Sequence, residues 1–315
     1  MYINSEQVTV KALLLKFLKM REIGALIPLV VIFVIASFSN SAFTSLPNLL
    51  NMLRASAYIF IAAVGMTYVL CGRGLDLSIG SQVGMSGVVL GALMVWWNVP
   101  IVLAIFIALL VGALAGAING FFVVVLRVPP FIATLATFYG YRGILEGVTK
   151  GTPISPMPES FKIIGLGSLF GVAYVIWFMI FLFIVATFVL RKTKYGRYTL
   201  AMGGNPQSTR LAGISTKKLT FSLYVLMGVL ACIAGIFFTS RFSSALPTLG
   251  VGMELKVIAA CIIGGVSLFG GAGSILGTLI GSMFLVVLDN GMIMAHISGY
   301  WQQAIVGLII IIACV

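Results

Sequence analysis

The chain has 315 residues, of which 61% are hydrophobic and 8% are charged, and its mean hydropathy is +1.17. A water-soluble globule of this size does not have such a composition, so a soluble two-domain protein is excluded. The net charge of +12 would suggest a nucleic-acid partner in a soluble chain, but here the basic residues fall mostly between apolar runs. Nucleic acid is therefore not an expected partner.

The apolar runs, taken in chain order, predict an all-α polytopic membrane protein. A hydrocarbon core of about 30 Å needs roughly 20 apolar residues in a helix, and about ten runs approach that length. Several are short or interrupted by glycine, as is typical of helices that bend around an aqueous path. The predicted spans are Gly24–Asn40, Leu49–Cys71, Leu77–Trp97, Pro100–Leu126, Phe131–Val148, Leu166–Leu190, Leu219–Ser240, Met253–Leu268, Ser274–Asn290 and Tyr300–Val315.

Basic residues predict how these spans are oriented, because Lys and Arg near span ends stay in the cytoplasm. With the N-terminus inside, thirteen flanking Lys and Arg lie on the cytoplasmic side and four on the outer side. We therefore expect residues 1–23 to form a cytoplasmic N-terminal segment and residues 24–315 a single transmembrane domain. The segment from Lys11 to Glu22 is expected to precede an uncleaved first anchor. The short last run stops at Val315 without a basic residue, which indicates a missing C-terminal tail.

Glycine residues recur at helical spacing in three of the spans. In a membrane such ridges let helix backbones approach closely, so we interpret them as packing devices. Two of the ridges follow glycine-rich segments, GRGLDLSIG and GGVSLFGGAG, whose similarity suggests an internal repeat. The ridges are Gly80, Gly84, Gly87 and Gly91; Gly112, Gly116 and Gly120; and Gly273, Gly277 and Gly281.

The polar residues of the chain do not favour an enzyme. The sequence contains no HExxH motif, no nucleophile elbow, no pair of carboxylates one helical turn apart and no GxxxxGK[ST] loop for the phosphates of ATP. We expect no cofactor and no metal bound by this chain, and a solvent-exposed His296. The thiols of Cys71, Cys232, Cys261 and Cys314 lie in or at the end of apolar runs, which predicts buried thiols and not disulfides.

The segment from Arg191 to Lys218 is long for a loop and predicts structure of its own. Asn205 followed by Pro206 is typical of a helix N-cap and first turn, and Gly213 is typical of a helix stop. We therefore expect a helix over Asn205 to Ala212 on the cytoplasmic face. Two interpretations stay open, a basic loop that touches anionic lipid and a docking helix for a soluble partner.

Three segments carry a resemblance to a known family: GRGLDLSIGSQVGMSG, YGRYTLAMGGNPQSTRLAGI and GVGMELKVIAACIIGGVSLFGGAGSILGTLIGS. In order and spacing, from about Leu49 to Val315, they closely resemble the permease subunits of ribose-type sugar ABC importers. The resemblance implies a bacterial inner-membrane protein in which two permeases, identical or related, form the pore. It also implies separate ATPase subunits that use ATP and Mg²⁺, and an extracytoplasmic sugar-binding protein.

In that family a cytoplasmic coupling helix inserts into the ATPase, and the matching residues here are Gly203, Gly204, Asn205, Arg210 and Gly213. The chain departs from the family pattern at Arg73, an added cation three residues before Asp76, and at Lys256, which replaces an acid near the outer mouth. The expected missing tail is the third departure. The resemblance leaves the sugar open, because pentose, hexose and furanosyl ligands are all compatible with it.

A neutral sugar is bound through hydroxyl, amide and aromatic contacts, which directs attention to polar residues within the spans. Each such residue can line a path or can simply hold helices together. Our candidates for the path or its gate are Asp76, Ser78, Ser81, Gln82, Asn119, Thr134, Thr137, Tyr139 and Glu254. The expected ion pairs are Arg73 with Asp76, Arg142 with Glu146, and Glu254 with Lys256 or Arg241.

These features favour an importer permease that is driven by the ATP of a partner. The main alternative is an ion-coupled secondary transporter, which would use acidic groups near the middle of broken helices. The sequence places no acid clearly at such a position. A passive channel or a purely structural subunit explains less, because neither accounts for a capped helix in the longest cytoplasmic loop.

Overall fold

The computed structural model describes residues 21–314 of the chain, and it confirms the all-α fold class. The helices are α1 (Arg21–Ser39), α2 (Leu46–Cys71), α3 (Ile79–Gly91), α4 (Ile101–Val124), α5 (Pro130–Thr149), α6 (Glu159–Leu166), α7 (Tyr174–Lys192), α8 (Lys194–Gly204), α9 (Pro206–Leu211), α10 (Thr216–Phe242), α11 (Met253–Ile263), α12 (Ile275–Met294) and α13 (Gly299–Cys314). A 3₁₀ turn covers Ser41–Thr44, a π-helical turn over Ala92–Trp96 extends α3, and β1 (Ser168–Leu169) pairs antiparallel with β2 (Val172–Ala173). Most of the predicted N-terminal segment 1–23 lies outside the described residues.

Each of the ten predicted spans contains a helix, but fewer than ten of these helices are full spans. Within the described residues, six helices are long and apolar enough to cross a membrane: α2, α3 with its π-helical extension, α4, α7, α10 and α12. The others are shorter or more polar. The chain is therefore polytopic.

Two of the predicted boundaries are wrong for an identifiable reason. The run Met253–Leu268 is helical only as far as Ile263, because Gly264 caps the helix and Gly265 adopts a positive φ of 80°. Its 11 residues rise about 16 Å, roughly half of a hydrocarbon core. The run Leu166–Leu190 is interrupted by the β1–β2 hairpin, so its long helix begins at Tyr174.

The glycine ridges pack helices closely, as predicted. A Cβ atom at Gly116 of α4 would lie 2.1 Å from the carbonyl oxygen of Tyr224 in α10, so only glycine allows this approach. Gly277 of α12 meets Gly264 in the same way, with a Cβ-to-oxygen distance of 1.9 Å. The Gly80 ridge of α3 packs against residues 239–250. The predicted buried, free thiols of Cys71, Cys232 and Cys261 are confirmed. The predicted exposure of His296 is also confirmed. The side chain of Cys314 lies outside the described residues.

The helix bundle has two distinct ends. At one end, named here the Gly203 end, α2 finishes at Cys71 beside α8, and the backbone amide of Gly271 donates to the carbonyl of Cys71 at 2.9 Å. At the other end, named the Asn290 end, the side-chain amides of Asn48 and Asn290 exchange hydrogen bonds of 2.9 and 3.0 Å. Helices α2 and α12 run between the two ends.

Candidate functional site

The loop between α7 and α10 contains two helices. As predicted, Asn205 caps the second one, α9, by accepting from the backbone amide of Ser208 at 2.9 Å, and Pro206 is its first residue. Gly213 ends the segment with a φ of 81°. The first helix, α8, was not predicted. The sequence feature that marks the start of α8 is its N-cap, Thr193, whose hydroxyl oxygen accepts from the backbone amide of Gly196 at 3.3 Å.

Gly203 joins this loop to the membrane bundle. A Cβ atom at Gly203 would lie 1.8 Å from the carbonyl oxygen of Cys71 and 2.4 Å from the amide nitrogen of Gly271. Cys71 ends α2 just before the first glycine-rich segment, and Gly271 lies in the second. The loop therefore contacts both glycine-rich segments at one point. We call this contact the Gly203 junction.

The five residues predicted to couple the chain to an ATPase face two directions. Gly203 is buried and faces the bundle, whereas Gly204, Asn205, Arg210 and Gly213 are exposed. Leu211, the last residue of α9, is 83% exposed and was not among the predicted residues. An apolar side chain so exposed beside Arg210 is a signal for a partner surface, but it can be recognised only once the helix is oriented.

A basic cavity of about 490 Å³ opens next to α9 at the Gly203 end. Its lining includes Arg73, Arg127, Arg210 and Lys217, and no acidic residue. Arg73 and Arg127 both have positive φ values, 66° and 56°, which non-glycine residues adopt at a cost. The cavity therefore concentrates positive charge around the exposed face of the loop.

Five of the nine predicted path residues form one buried hydrogen-bond network. The Asp76 carboxylate accepts from the backbone amide (2.8 Å) and the hydroxyl (2.6 Å) of Ser78. Its second oxygen accepts from the side-chain amides of Asn119 (3.2 Å) and Gln82 (3.3 Å). Thr137 closes the network by donating to the Asn119 side-chain oxygen at 2.6 Å. Each of these residues is at most 6% exposed.

This network links α3, α4 and α5 well inside the bundle. Asn119 lies five residues before the end of α4, and Thr137 lies seven residues after the start of α5, so both are about 8 to 10 Å from the helix ends at the Gly203 side. Burying a carboxylate is costly unless it is hydrogen-bonded, and here four donors offset that cost. The expected ion pair of Asp76 with Arg73 is wrong, because these neutral donors hold the carboxylate and the Arg73 side chain is exposed.

The other predicted path residues are placed separately. Ser81 donates to the carbonyl of Phe138 at 2.8 Å, and Thr134 donates to the carbonyl of Pro130 at 2.8 Å. These bonds fix α3 to α5 and stabilise the start of α5. Tyr139 points away from the network, with 68% of its side chain exposed. Whether any of the nine residues lines a path stays a prediction.

Glu254 is the second residue of the short helix α11. A Cβ atom at Gly80 would lie 2.3 Å from Oε2 of Glu254 and 2.1 Å from the carbonyl oxygen of Gly250. Glu254 is therefore packed against the start of α3. Its Oε1 accepts from the backbone amide of Gly252 at 3.2 Å, while Oε2 is buried and has no hydrogen-bond partner among the described residues.

Two further expected ion pairs are replaced by other contacts. Arg142 is 8% exposed and donates to the carbonyls of Pro247 (2.5 Å) and Leu249 (3.1 Å), which ties α5 to the segment before α11. No ion pair joins it to Glu146 in the part of the chain that the structure describes. Lys256 pairs with Asp289 at 2.5 Å and not with Glu254. The contacts of Arg142 and Lys256 are instead with residues far apart in sequence, at positions 247, 249 and 289.

Comparison with known proteins places this arrangement in a family. Residues 48–314 match a family described as the permease component of the branched-chain amino acid transport system. The chain belongs to this family. Because the match covers almost every described helix after α1, the chain is a multi-pass membrane permease, and the homologous subunits are permeases and not enzymes.

Individual relatives match over nearly the whole chain. The chain is 41% identical to the ribose import permease protein RbsC of Haemophilus influenzae over 93% of its length and 91% of the relative. It is 40% identical to RbsC of Escherichia coli strain K12, covering 93% of the chain and 92% of the relative. It is 36% identical to the autoinducer 2 import system permease protein LsrC of Escherichia coli strain HS, covering 95% and 87%. No solved structure matches the chain.

Proposed function

We propose that this chain is the membrane subunit of an ATP-binding-cassette importer that moves ribose or a similar monosaccharide into the cell. An ATPase subunit binds at the Gly203 end, which faces the cytoplasm, and an extracytoplasmic binding protein delivers the sugar at the Asn290 end. Two permease copies form the pore. The chain itself hydrolyses nothing, and ATP and Mg²⁺ bind to the partner.

The Gly203 junction is the observation that supports this function best. A movement of α8 and α9 acts directly on the end of α2 and on the loop before α12, because Gly203 lies against both backbones. Both contacts join backbone to backbone. In close-packed contacts of this kind a displacement of one segment displaces the next, because no empty space lies between them. A partner that pushes on α9 therefore changes the two glycine-rich segments at the same time.

The surface around α9 suits a partner with an apolar socket and an acidic rim. Leu211 supplies an exposed apolar side chain, and Arg73, Arg127, Arg210 and Lys217 supply positive charge around it. Complementary charge of this kind orients a partner and sets its association rate, while a buried apolar contact contributes most of the affinity. We therefore place an acidic ATPase surface with an apolar pocket ahead of anionic lipid as the partner of α9.

Transport by the reconstituted complex tests the function. The chain is placed in proteoliposomes with its ATPase and its binding protein, and uptake of D-ribose is measured with and without ATP. We expect uptake only with ATP, only in the presence of the binding protein, and none with an ATPase that cannot bind nucleotide. Uptake that is unaffected by omission of ATP would contradict the proposal.

One observation favours a second candidate, an ion-coupled transporter. Asp76 is buried and Glu254 has an unpartnered buried oxygen, and both lie near the start of helices that begin inside the bundle. Buried acids within membrane spans mark ion pathways and proton relays in pumps and transporters. Proteoliposomes without ATP but with a proton or sodium gradient separate the two functions. Sugar uptake that follows the gradient and is abolished by an ionophore would establish this second candidate.

The relatives suggest two substrate classes. The ribose permeases are more similar to this chain than the autoinducer 2 permease, at 41% and 40% against 36% identity. We therefore place a free pentose first. Competition of D-ribose uptake by an excess of autoinducer 2, measured with the same complex, distinguishes the two: weak competition supports a pentose importer.

A further inference from the structure

A second cavity, of about 540 Å³, opens at the Asn290 end between α2, α10, α11 and α12. Its volume lies within the range of about 300 to 1,000 Å³ that is typical of small-molecule sites. Asn48, near the start of α2, and Asn290, near the end of α12, both line it. The cavity is therefore at the end of the bundle opposite the Gly203 junction.

The polar groups of this cavity present donors and acceptors side by side. Asn48 and Asn290 form a reciprocal amide pair, and Lys256 and Asp289 form an ion pair at 2.5 Å. Asn51 adds a third amide, on an exposed side chain. A sugar hydroxyl donates one hydrogen bond and accepts others, so paired amides and ion pairs suit it well.

Three charged residues line the cavity, Arg241, Lys256 and Asp289, and two of them form an ion pair. The Lys256 ammonium is compensated by Asp289. The Arg241 guanidinium lies 5.6 Å from the centre of the Tyr58 ring, and Tyr58 in turn stacks on Phe238 with 4.3 Å between ring centres. These aromatic rings form an apolar wall. An apolar wall with a small number of polar groups is typical of small-molecule sites, and the amides and the ion pair of this cavity suit a polyhydroxylated ligand.

We propose that the cavity framed by Asn51, Asp289 and Asn290 is a low-affinity monosaccharide site, at which the permease receives the sugar before it crosses. This inference rests on the proposed import function. It also gives a role to Lys256, the base that replaces an acid of the family pattern: its ion pair with Asp289 makes it part of the site. The surface of a second permease copy is the other occupant to be tested.

The test uses D-ribose as the probe and the full chain with its ATPase in lipid nanodiscs, without the binding protein. Saturation-transfer NMR reports direct contact between the sugar and protein protons. Ala55→Phe fills the cavity from α2. Leu46→Phe is the matched control, because it adds an aromatic ring to the same helix at a side chain that is 68% exposed and outside the cavity. Asn51→Ala is a milder variant that removes one exposed amide.

We expect a D-ribose signal for the wild type and for Leu46→Phe, loss of the signal for Ala55→Phe, and at least threefold weaker binding for Asn51→Ala. In proteoliposomes with the complete importer, Asn51→Ala should raise the KM for D-ribose delivery. Wild-type signals and wild-type uptake in both cavity variants would overturn the inference and leave the importer function intact.

Two other results would also overturn the inference. The first is an importing wild type that shows no D-ribose signal. The second is an Ala55→Phe variant that loses pairing between permease copies but keeps the signal, which would make the cavity a subunit interface. If the wild-type complex imports no monosaccharide under any condition, the proposed function fails and this inference fails with it.

Discussion

Gly203 lies against the carbonyl oxygen of Cys71 so closely that no side chain fits between them: a Cβ atom there would be 1.8 Å from that oxygen. Its neighbour Gly204 has open space around the same position, with nothing within 4 Å. The two adjacent glycines therefore have different reasons to be present. Gly203 is required by packing, and Gly204 is not.

The first prediction follows from this difference. Gly203→Ala should force α8 away from α2, because overpacking by one methyl group costs about 1–3 kcal/mol. We expect ATP-driven D-ribose uptake to fall roughly tenfold, as a coupling free energy of that size implies. Gly204→Ala is the matched control and should transport at the wild-type rate. ATPase activity and uptake are measured on the same proteoliposomes.

Two outcomes of the comparison between Gly203→Ala and Gly204→Ala test the role of the Gly203 junction. Continued hydrolysis with little uptake in Gly203→Ala identifies the junction as a coupling element. Equal loss in both variants would show that the steric argument is wrong, because Gly204→Ala meets no neighbouring atom.

The second prediction concerns the basic cavity beside α9. Lys217 lines this cavity and Lys218 does not, although both are exposed and adjacent in α10. Lys217→Glu should weaken binding of the ATPase about tenfold at low salt, because it places a like charge opposite an acidic partner surface. Lys218→Glu makes the same change in net charge outside the cavity and should have little effect. Affinity is measured by pull-down or calorimetry in detergent.

Salt supplies an independent check. Exposed charge pairs are screened over about 8 to 10 Å at moderate ionic strength, so the difference between the two variants should shrink as salt is raised. Identical affinities for Lys217→Glu and Lys218→Glu at low salt would remove the cavity from the docking surface.

Much of the fold could be predicted from the sequence because a membrane imposes a simple length rule on apolar helices. Runs such as Pro100–Leu126 therefore mark α4 to within a few residues. The rule fails where glycine interrupts a run. The run 253–268 is predicted as one span, but its helix ends at Ile263, because Gly264 packs against Gly277 and Gly265 turns the chain. The contact with α12 sets where α11 ends, so the sequence of the run alone does not indicate the end of the helix.

The residues of the site could be predicted from their types, but the contacts between them could not. Polar residues of the spans were identified because a neutral sugar is bound through hydroxyl, amide and aromatic contacts. Their partners are not neighbours in sequence: Asp76 binds Asn119, and Lys256 binds Asp289. The cavity at the Asn290 end depends on four helices, so no local pattern indicated it.

The third prediction is topological. We expect the Gly203 end to face the cytoplasm, because that orientation places thirteen of the seventeen flanking basic residues inside. A single cysteine at the exposed Gln207 should be labelled only from the cytoplasmic side, and one at the exposed Thr152 only from outside. A background without native cysteines is used. Labelling of position 207 in intact cells by a membrane-impermeant reagent would contradict the orientation.

The last prediction concerns the buried network around Asp76. Asp76→Ala removes the acceptor for the backbone amide of Ser78 and for the side-chain amides of Gln82 and Asn119. A buried donor left without a partner costs about 1–3 kcal/mol. We therefore expect a clearly lower melting temperature of the purified protein and reduced sugar uptake. Asp76→Asn should lower the melting temperature and the uptake less, because the side-chain oxygen of the asparagine can still accept from Ser78.

A double variant tests whether the network needs an acid at position 76 itself or only a matched donor–acceptor pair. In Asp76→Asn the new amide group faces the Asn119 amide, 3.2 Å away in the wild type, so two donors oppose each other. Adding Asn119→Asp restores a donor–acceptor pair there and still lets Thr137 donate, as it does to the Asn119 oxygen at 2.6 Å. We expect the double variant to regain part of the melting temperature lost in Asp76→Asn. If stability returns but uptake does not, Asp76 acts in transport beyond holding α3 to α4. If Asp76→Ala melts and transports like the wild type, the network has neither role.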